Sequence, residues 1–208
     1  DCPFCPGNEE SATPGQSLSY RGEDGAWRVR AFPNRYPALS PALELGSRSA
    51  DMFTRKLGGY GYHEIVAESR FHNTTLGLQS SDDVYLVLRA WRRRFRALCR
   101  KPGIRHVIIF KNHGSTGGAS LEHPHSQVVG LPVLPLQVRE RLRACRQYHK
   151  RTGHCLYCRS LAEEREDGRR VIAAGRYFSA IVPYASISPY SVVVYPHRHA
   201  SFYDVGDA

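Results

Sequence analysis

Hydrophobic and polar residues alternate along several short stretches of this chain, and each such stretch predicts a strand with two unlike faces. Residues 27–32 alternate in this way, Trp27, Val29 and Ala31 against Arg28 and Arg30, and stop at the turn Pro33, Asn34, Arg35, Tyr36, Pro37. Residues 60–69 predict a second strand, which leads to His72. Residues 104–110 are a β-branched run of the kind that fills a buried strand, and a glycine-rich turn then enters a short strand carrying His123, Pro124, His125, Ser126 and Gln127. A different period governs residues 81–100. Val84, Leu88, Trp91, Phe95 and Leu98 recur at steps of four and three, a helical stripe capped by Ser81, Asp82 and Asp83. Its other face carries Arg89, Arg92, Arg93, Arg96 and Arg100 and reads as a solvated surface. Residues 135–153 repeat the helical step through Val138, Leu142, Cys145 and Tyr148, and strands follow at 171–174, 177–182 and 191–195. Residues 39–59 show no period and read as a mobile loop.

Mixed helices and strands in this order predict the α+β class. Each half also runs from a CxxC knuckle through strands to a histidine-bearing strand end, at His72 and then at His197 and His199, which points to duplicated half-domains.

Strand alternation sets His123, His125 and Gln127 on one side and Pro124, Ser126 and Val128 on the other. Two imidazoles and a carboxamide next to Gly117 and Gly118, whose amides can approach a phosphate, make a poor hydrophobic core and a good reaction centre. The same spacing also fits two histidines capping a surface strand, and alone it leaves both readings open.

Four of the six cysteines stand in two CxxC pairs, Cys2/Cys5 and Cys155/Cys158. Two thiolates at this spacing reach one tetrahedral zinc. A redox reading needs a strand before the pair and a helix after it, whereas Pro6 and Gly7 follow Cys5 directly, so zinc is favoured there. A knuckle supplies only two ligands. His72, just beyond a strand end, stands where a third ligand fits, although a lone histidine there also fits a solvated loop. Cys99 and Cys145 fall inside helical patterns and read as small hydrophobes. This cysteine usage predicts a reducing, cytoplasmic setting.

The hydrophobic fraction of 41% supports a packed core, and the net charge of +10 favours anionic partners: nucleic acid, a membrane surface or phosphorylated metabolites. No apolar run approaches the ~18 residues of a membrane span, and no signal peptide is visible. Beginning at Asp1 rather than methionine, the chain reads as a fragment of something longer.

Residues 2–8, 32–39, 68–72, 110–114 and 118–127 together resemble the galactose-1-phosphate uridylyltransferase family of the histidine-triad superfamily. Residues 183–190 and 195–199 resemble the start of that family's second half, so the likeness runs from Cys2 to about Phe202. The resemblance implies two histidine-triad-like half-domains, each a mostly antiparallel sheet with packed helices. The first spans residues 1–134 and the second 135–208, incomplete here. It implies His125 as nucleophile, Gln127 as the residue holding the nucleotidyl intermediate, Ser120 as a phosphate ligand, and Asn34, Asn112 and Gly118 as nucleotide contacts. Cys2, Cys5, His72 and His123 match a structural Zn2+ set. Cys155, Cys158 and His199 match three ligands of a second zinc site, whose fourth histidine would lie beyond Ala208.

The activity so implied is ping-pong transfer of a uridylyl group from UDP-glucose to a hexose 1-phosphate, as in galactose metabolism, by a cytoplasmic homodimer with no membrane or nucleic-acid partner. Three departures bear on the base. Ser126 precedes Gln127 where the best-known members have glycine, and Arg35 stands where they carry an acid near the ribose. The second CxxC is shared with a plant adenylyltransferase branch similar to ADP-glucose phosphorylase, which is the alternative reading. A zinc-containing nucleic-acid binder is a distant alternative, opposed by the separation of about 150 residues between the knuckles and by the lack of a groove-reading module. A nucleotide hydrolase of the same superfamily would use His-x-His-x-His, and here Gln127 takes the third position.

Overall fold

A computed structural model of the chain describes residues 2–12, 15–49, 53 and 55–200. Two compact units follow one another, Asp1–Leu134 and Pro135–Ala208. The first contains the one-turn helix α1 (Glu9–Ala12), strands β1 (Leu18–Arg21), β2 (Trp27–Pro33), β3 (Ser47–Ser49), β4 (Arg55–Leu57) and β5 (Tyr62–Ala67), the long helix α2 (Ser81–Cys99), and strands β6 (His106–Phe110) and β7 (His125–Leu131). The aperiodic stretch 39–59 is more ordered than its sequence suggests. It holds the antiparallel pair β3–β4, and Ser40 bridges Tyr60. Positions 50–52 and 54 of that stretch, and Phe202, lie outside the described residues.

Five strands form one antiparallel sheet in the order β1-β2-β5-β7-β6. Helix α2 covers one face, where Val29, Ala31, Val66, Val87, Ala90, Leu98, Val107 and Val128 are buried together. Of the stripe that its hydrophobicity predicts for α2, Leu98 is buried and Trp91 and Phe95 pack against the core, whereas Leu88 is exposed and Val87 and Ala90 are inside. Arg94 also stands on the inner face. It donates from Nε and Nη2 to the two carboxylate oxygens of Glu64, each at 2.7 Å. The cap also moves by one residue, because the Ser80 hydroxyl, not that of Ser81, accepts the Asp83 amide.

Removing one partner of a buried, doubly bonded ion pair leaves the other charge uncompensated, at a cost of about 3–5 kcal/mol. Glu64→Ala is therefore expected to lower the unfolding free energy by that amount, seen as a fall in the urea midpoint at constant slope. A midpoint unchanged from wild type would show that Arg94 finds solvent instead.

The opposite face of the sheet is covered too. Phe4, Trp27, Phe32, Ile65 and Ala67 form a second buried cluster there. Arg30, which alternation places in solvent, is buried with its guanidinium 5.0 Å from the Trp27 ring and 4.6 Å from the Phe32 ring. β2 is thus buried on both sides because the N-terminal knuckle lies across it.

The second unit contains helices α3 (Leu136–Thr152) and α4 (Leu156–Asp167) and strands β8 (Val171–Ala174), β9 (Phe178–Ile181) and β10 (Val193–Pro196), the strands forming an antiparallel sheet of order β10-β9-β8. Helix α3 ends at Gly153, whose φ of +74° is a left-handed conformation that a side chain would disfavour. The chain turns there and enters α4, a helix its sequence pattern does not announce. Cys155 is the N-cap of α4 and Cys158 stands in its first turn, so the second knuckle is the start of a helix. Among the described residues no helix is long and apolar enough to cross a membrane.

Candidate active site and metal centre

The register of β5 against β7 pairs Ile65 with Gln127 and Ala67 with His125. Side chains of one parity on these strands, namely Glu64, Val66, Ser126 and Val128, turn toward α2. Those of the other parity, His63, Ile65, Ala67, His125 and Gln127, share the face on which the knuckle lies.

Knuckle and strand meet at four donors. The Sγ atoms of Cys2 and Cys5 and a ring nitrogen each of His72 and His123 all lie within 4.8 Å of one another. Cys5 Sγ stands 3.4 Å from His72 Nδ1 and 3.6 Å from His123 Nδ1. His123 directs its other nitrogen, Nε2, to the carbonyl of Ser69 at 2.8 Å, which puts the ring proton on Nε2 and leaves the Nδ1 lone pair for a cation. Burial, first of all, pushes the His123 imidazole below its usual range and keeps the ring neutral. Burial and the adjacent Cys2 thiol push the Cys5 thiol up, so two thiolates held side by side here call for a cation between them. The Phe4 amide donates to Cys2 Sγ at 3.4 Å, which suits a metal-bound sulfur. Two thiolates and two imidazoles fit zinc, and four protein donors leave no open position on it.

Between the two thiols stands Phe4, itself buried. Its ring packs edge-on against Phe32, His123 and His125, with centroids 5.4, 6.0 and 5.3 Å away. The knuckle therefore touches the candidate nucleophile through an aromatic ring. His125 Nδ1 lies 2.8 Å from the carbonyl of His123. A carbonyl only accepts, so the proton sits on Nδ1 and Nε2 keeps its lone pair. His123 and His125, two residues apart, thus hold opposite tautomers.

Gln127 is joined to a residue that sequence reasoning passed over. His63 Nε2 is 2.7 Å from Gln127 Oε1. On its far side, the ring meets the turn after β2: the Ala38 amide donates to His63 Nδ1 at 3.1 Å, and Asn34 Nδ2 lies 3.2–3.4 Å from the ring nitrogens. The Asn34 amide also donates to the His63 carbonyl at 2.9 Å, and Asn34 Oδ1 accepts the Tyr36 amide. The only signal in the sequence is that His63 alternates with Ile65 and Ala67, and it acquires meaning once β5 is placed beside β7.

The loop between β6 and β7 corrects one expectation. The amides of Gly117, Gly118 and Ala119 donate to the carbonyls of Gly114, Ser115 and Gly114 within the turn itself. They close the turn and are not left as a phosphate cradle. Asn112 Nδ2 donates to the Gly118 carbonyl at 3.2 Å, joining two expected nucleotide contacts, and Ser120 is exposed. Gly118 has a φ of +78° and sits where a Cβ would press on Asn112.

Two of the departures also find physical explanations. Ser126 is fully buried on the α2 face, where its hydroxyl accepts the Trp91 indole N–H at 2.6 Å. It is a packing residue and says nothing about the base. Arg35 donates to the carbonyl of Ser11 at 2.6 Å, back toward the N-terminal segment.

In the second unit, donor atoms of Cys155, Cys158 and His199 lie within 4.8 Å of one another, with Cys158 Sγ 3.2 Å from His199 Nδ1. Burial opposes the Cys155 thiolate, but the Cys158 and Tyr157 amides at the start of α4 hold its thiol below the ordinary value overall. Among the described residues this set has three members. Among the described residues Cys2 and Cys5 are joined by His72 and His123, and Cys155 and Cys158 by His199.

Residues 1–135 match the family model described as galactose-1-phosphate uridyl transferase, N-terminal domain. The chain is 32% identical over 203 residues to an ADP-glucose phosphorylase of Arabidopsis thaliana, covering 97% of this chain and 56% of that one. To a galactose-1-phosphate uridylyltransferase of Thermotoga maritima it is 30% identical over 204 residues, covering 97% and 59%. Among solved structures, an ADP-glucose phosphorylase from Arabidopsis thaliana with bound ADP-glucose matches with a TM-score of 0.86 at 31% identity, over all of this chain and 62% of the other. A uridylyltransferase structure matches with a TM-score of 0.83 at 30% identity, over 98% and 60%. The chain thus spans somewhat more than half the length of these relatives.

Proposed function

Because the chain belongs to the galactose-1-phosphate uridyl transferase family, we propose that it transfers a nucleotidyl group from a nucleotide sugar by way of a covalent nucleotidyl-His125 intermediate. The observation that carries this reading is the Nδ1 bond of His125 to the His123 carbonyl, which makes Nε2 the nitrogen able to offer a lone pair.

In the first step the Nε2 lone pair attacks the α-phosphorus of the donor. An N–P bond forms, and the bond from phosphorus to the oxygen of sugar 1-phosphate breaks, with the departing phosphate taking the electron pair. In the second step an oxygen of an acceptor phosphate attacks the same phosphorus and returns the electron pair to Nε2. Splitting one displacement into two lowers each barrier. Gln127, beside His125 on the same face, donates its amide to the non-bridging oxygens as charge builds there. With the Gly117 and Gly118 amides used by their own turn, the exposed Ser120 hydroxyl is proposed as a phosphate donor from that loop. Asn34 and Asn112 line the nucleotide side. Zinc held by Cys2, Cys5, His72 and His123 supplies a cross-link, with no role for the ion in bond making. Cys155, Cys158 and His199 are proposed to hold a second zinc. Thiols free at all six cysteines suit a cytoplasmic setting.

The donor is UDP-glucose and the acceptor a hexose 1-phosphate in the first reading. In the second, favoured by 32% identity over nearly the whole chain to an ADP-glucose phosphorylase, the donor is ADP-glucose and the acceptor is phosphate. Intact-mass measurement of the zinc-replete, full-length protein after separate incubation with each donor decides between them. A UMP-sized adduct is expected under the first and an AMP-sized adduct under the second. No adduct from either donor would sink the covalent mechanism.

A further inference from the structure

We propose that His63 is a positioning residue, which locks the Gln127 carboxamide in the one orientation that presents its amino group to the phosphate. This rests on the reading that His125 carries the nucleotidyl group.

The argument starts from a backbone amide. Ala38 N–H has only a proton to offer, and it points at His63 Nδ1 from 3.1 Å, so Nδ1 is the bare nitrogen. The ring proton is therefore on Nε2, which faces Gln127 at 2.7 Å. A carboxamide has two ends of nearly equal shape and opposite hydrogen-bond character. With a donor fixed at Nε2, only the carbonyl end, Oε1, can face His63, because the flipped amide would set N–H against N–H. Gln127 is thereby left with its NH2 group directed away from His63 and free to donate. Burial, the principal cause, pushes the His63 imidazole below its usual range, so the ring is neutral and holds this tautomer near pH 7.

Sheet register explains why His63 and no other residue does this. Gln127 pairs with Ile65, and His63 is the next residue of the same face along β5, a diagonal neighbour within reach of a long side chain. The Asn34–Ala38 turn holds the ring at Nδ1, which accepts from the Ala38 amide at 3.1 Å. Asn34 Nδ2 lies 3.4 Å from Nδ1 and 3.2 Å from Nε2, and with the proton on Nε2 only Nδ1 can accept from it. The turn expected to meet the nucleotide and the amide expected to meet its α-phosphate therefore share one strut.

Pre-set donors act on charge that develops in the transition state, and losing one costs roughly 10²–10³-fold in rate. Losing only its orientation should cost less. The test measures single-turnover adduct formation by the full-length, zinc-loaded protein at saturating UDP-glucose or ADP-glucose, whichever labels the wild type. His63→Phe, which fills the space without an N–H, is expected to slow adduct formation at saturating donor roughly 10–100-fold, with the melting temperature nearly unchanged. His63→Gln, which restores a donor toward Oε1, is expected to recover most of the rate. In a Gln127→Ala background, His63→Phe should produce no further loss, since its effect passes through the missing carboxamide. Full rate in His63→Phe, or equal loss with and without Gln127, overturns the positioning role while leaving the covalent reading intact. A wild type that forms no adduct overturns both.

Discussion

Replacing His125 by asparagine is expected to abolish the covalent adduct and lower turnover by about 10⁴–10⁶-fold, the scale seen when a nucleophile is removed from a covalent enzyme. Asparagine is the informative substitution. Its amide nitrogen falls near the position of imidazole Nδ1 and keeps a donor for the His123 carbonyl, which His125 now contacts at 2.8 Å. What disappears is Nε2. Stability should therefore stay within about 1.5 kcal/mol of wild type, the range of one ordinary hydrogen bond. His125→Ala removes a buried ring that packs on Phe4 and should lose stability as well as activity. Adduct formation that persists in both variants would move the nucleophile elsewhere.

Stripping zinc from the first unit is expected to have the next largest effect. The four donors come from three distant parts of the chain, the knuckle, the segment after β5 and the entry to β7, so the zinc proposed there would tie together the sheet face that carries His125. Structural zinc contributes roughly 10–16 kcal/mol in small isolated fingers. Even a third of that rivals the roughly 5–15 kcal/mol by which whole domains are stable. A strong chelator, or His72→Ala, should lower the melting temperature steeply and suppress adduct formation, and adding back zinc to the chelated protein should restore both. The coupling to chemistry runs through Phe4. If the proposed zinc holds the knuckle down, its removal frees Phe4, the ring that packs on His125. A protein stripped of metal that keeps its full rate of adduct formation would show that the knuckle is not part of the scaffold of the site.

Legibility of this chain in its sequence varied with the physical source of each feature. The α+β class, the strands β2, β5, β6 and β7 and the helix α2 show in their periods, because burial of one face imposes a period directly. The same rule puts Leu88 of α2 inside, where it is exposed, and gives no sign that Arg94 turns inward to a buried glutamate. It misread Arg30 because the N-terminal knuckle covers a strand face that alternation assigns to water. Helix α4 has a single buried side chain, Leu161, and so has no stripe to show. His63 was invisible for a different reason. Its role depends on which strand lies beside β5 and in what register, a property of two segments 64 residues apart. The tautomers of His123 and His125 depend likewise on carbonyls that only the folded backbone puts in place.

β7 is an interior strand, bonded along one edge to β5 and along the other to β6. Amide hydrogens in such a strand exchange with solvent only when the sheet itself opens, which makes them among the slowest in a domain. Of the residues proposed to make and hold the covalent bond, Gln127 is paired with both Ile65 of β5 and Phe110 of β6, while His125 is paired with Ala67 of β5. The turn at 34–38 and the loop at 112–120 have no second strand to restrain them. If the donor is the nucleotide sugar proposed above, the ordering it requires would fall more on those two segments than on Gln127, which is already held by both neighbouring strands.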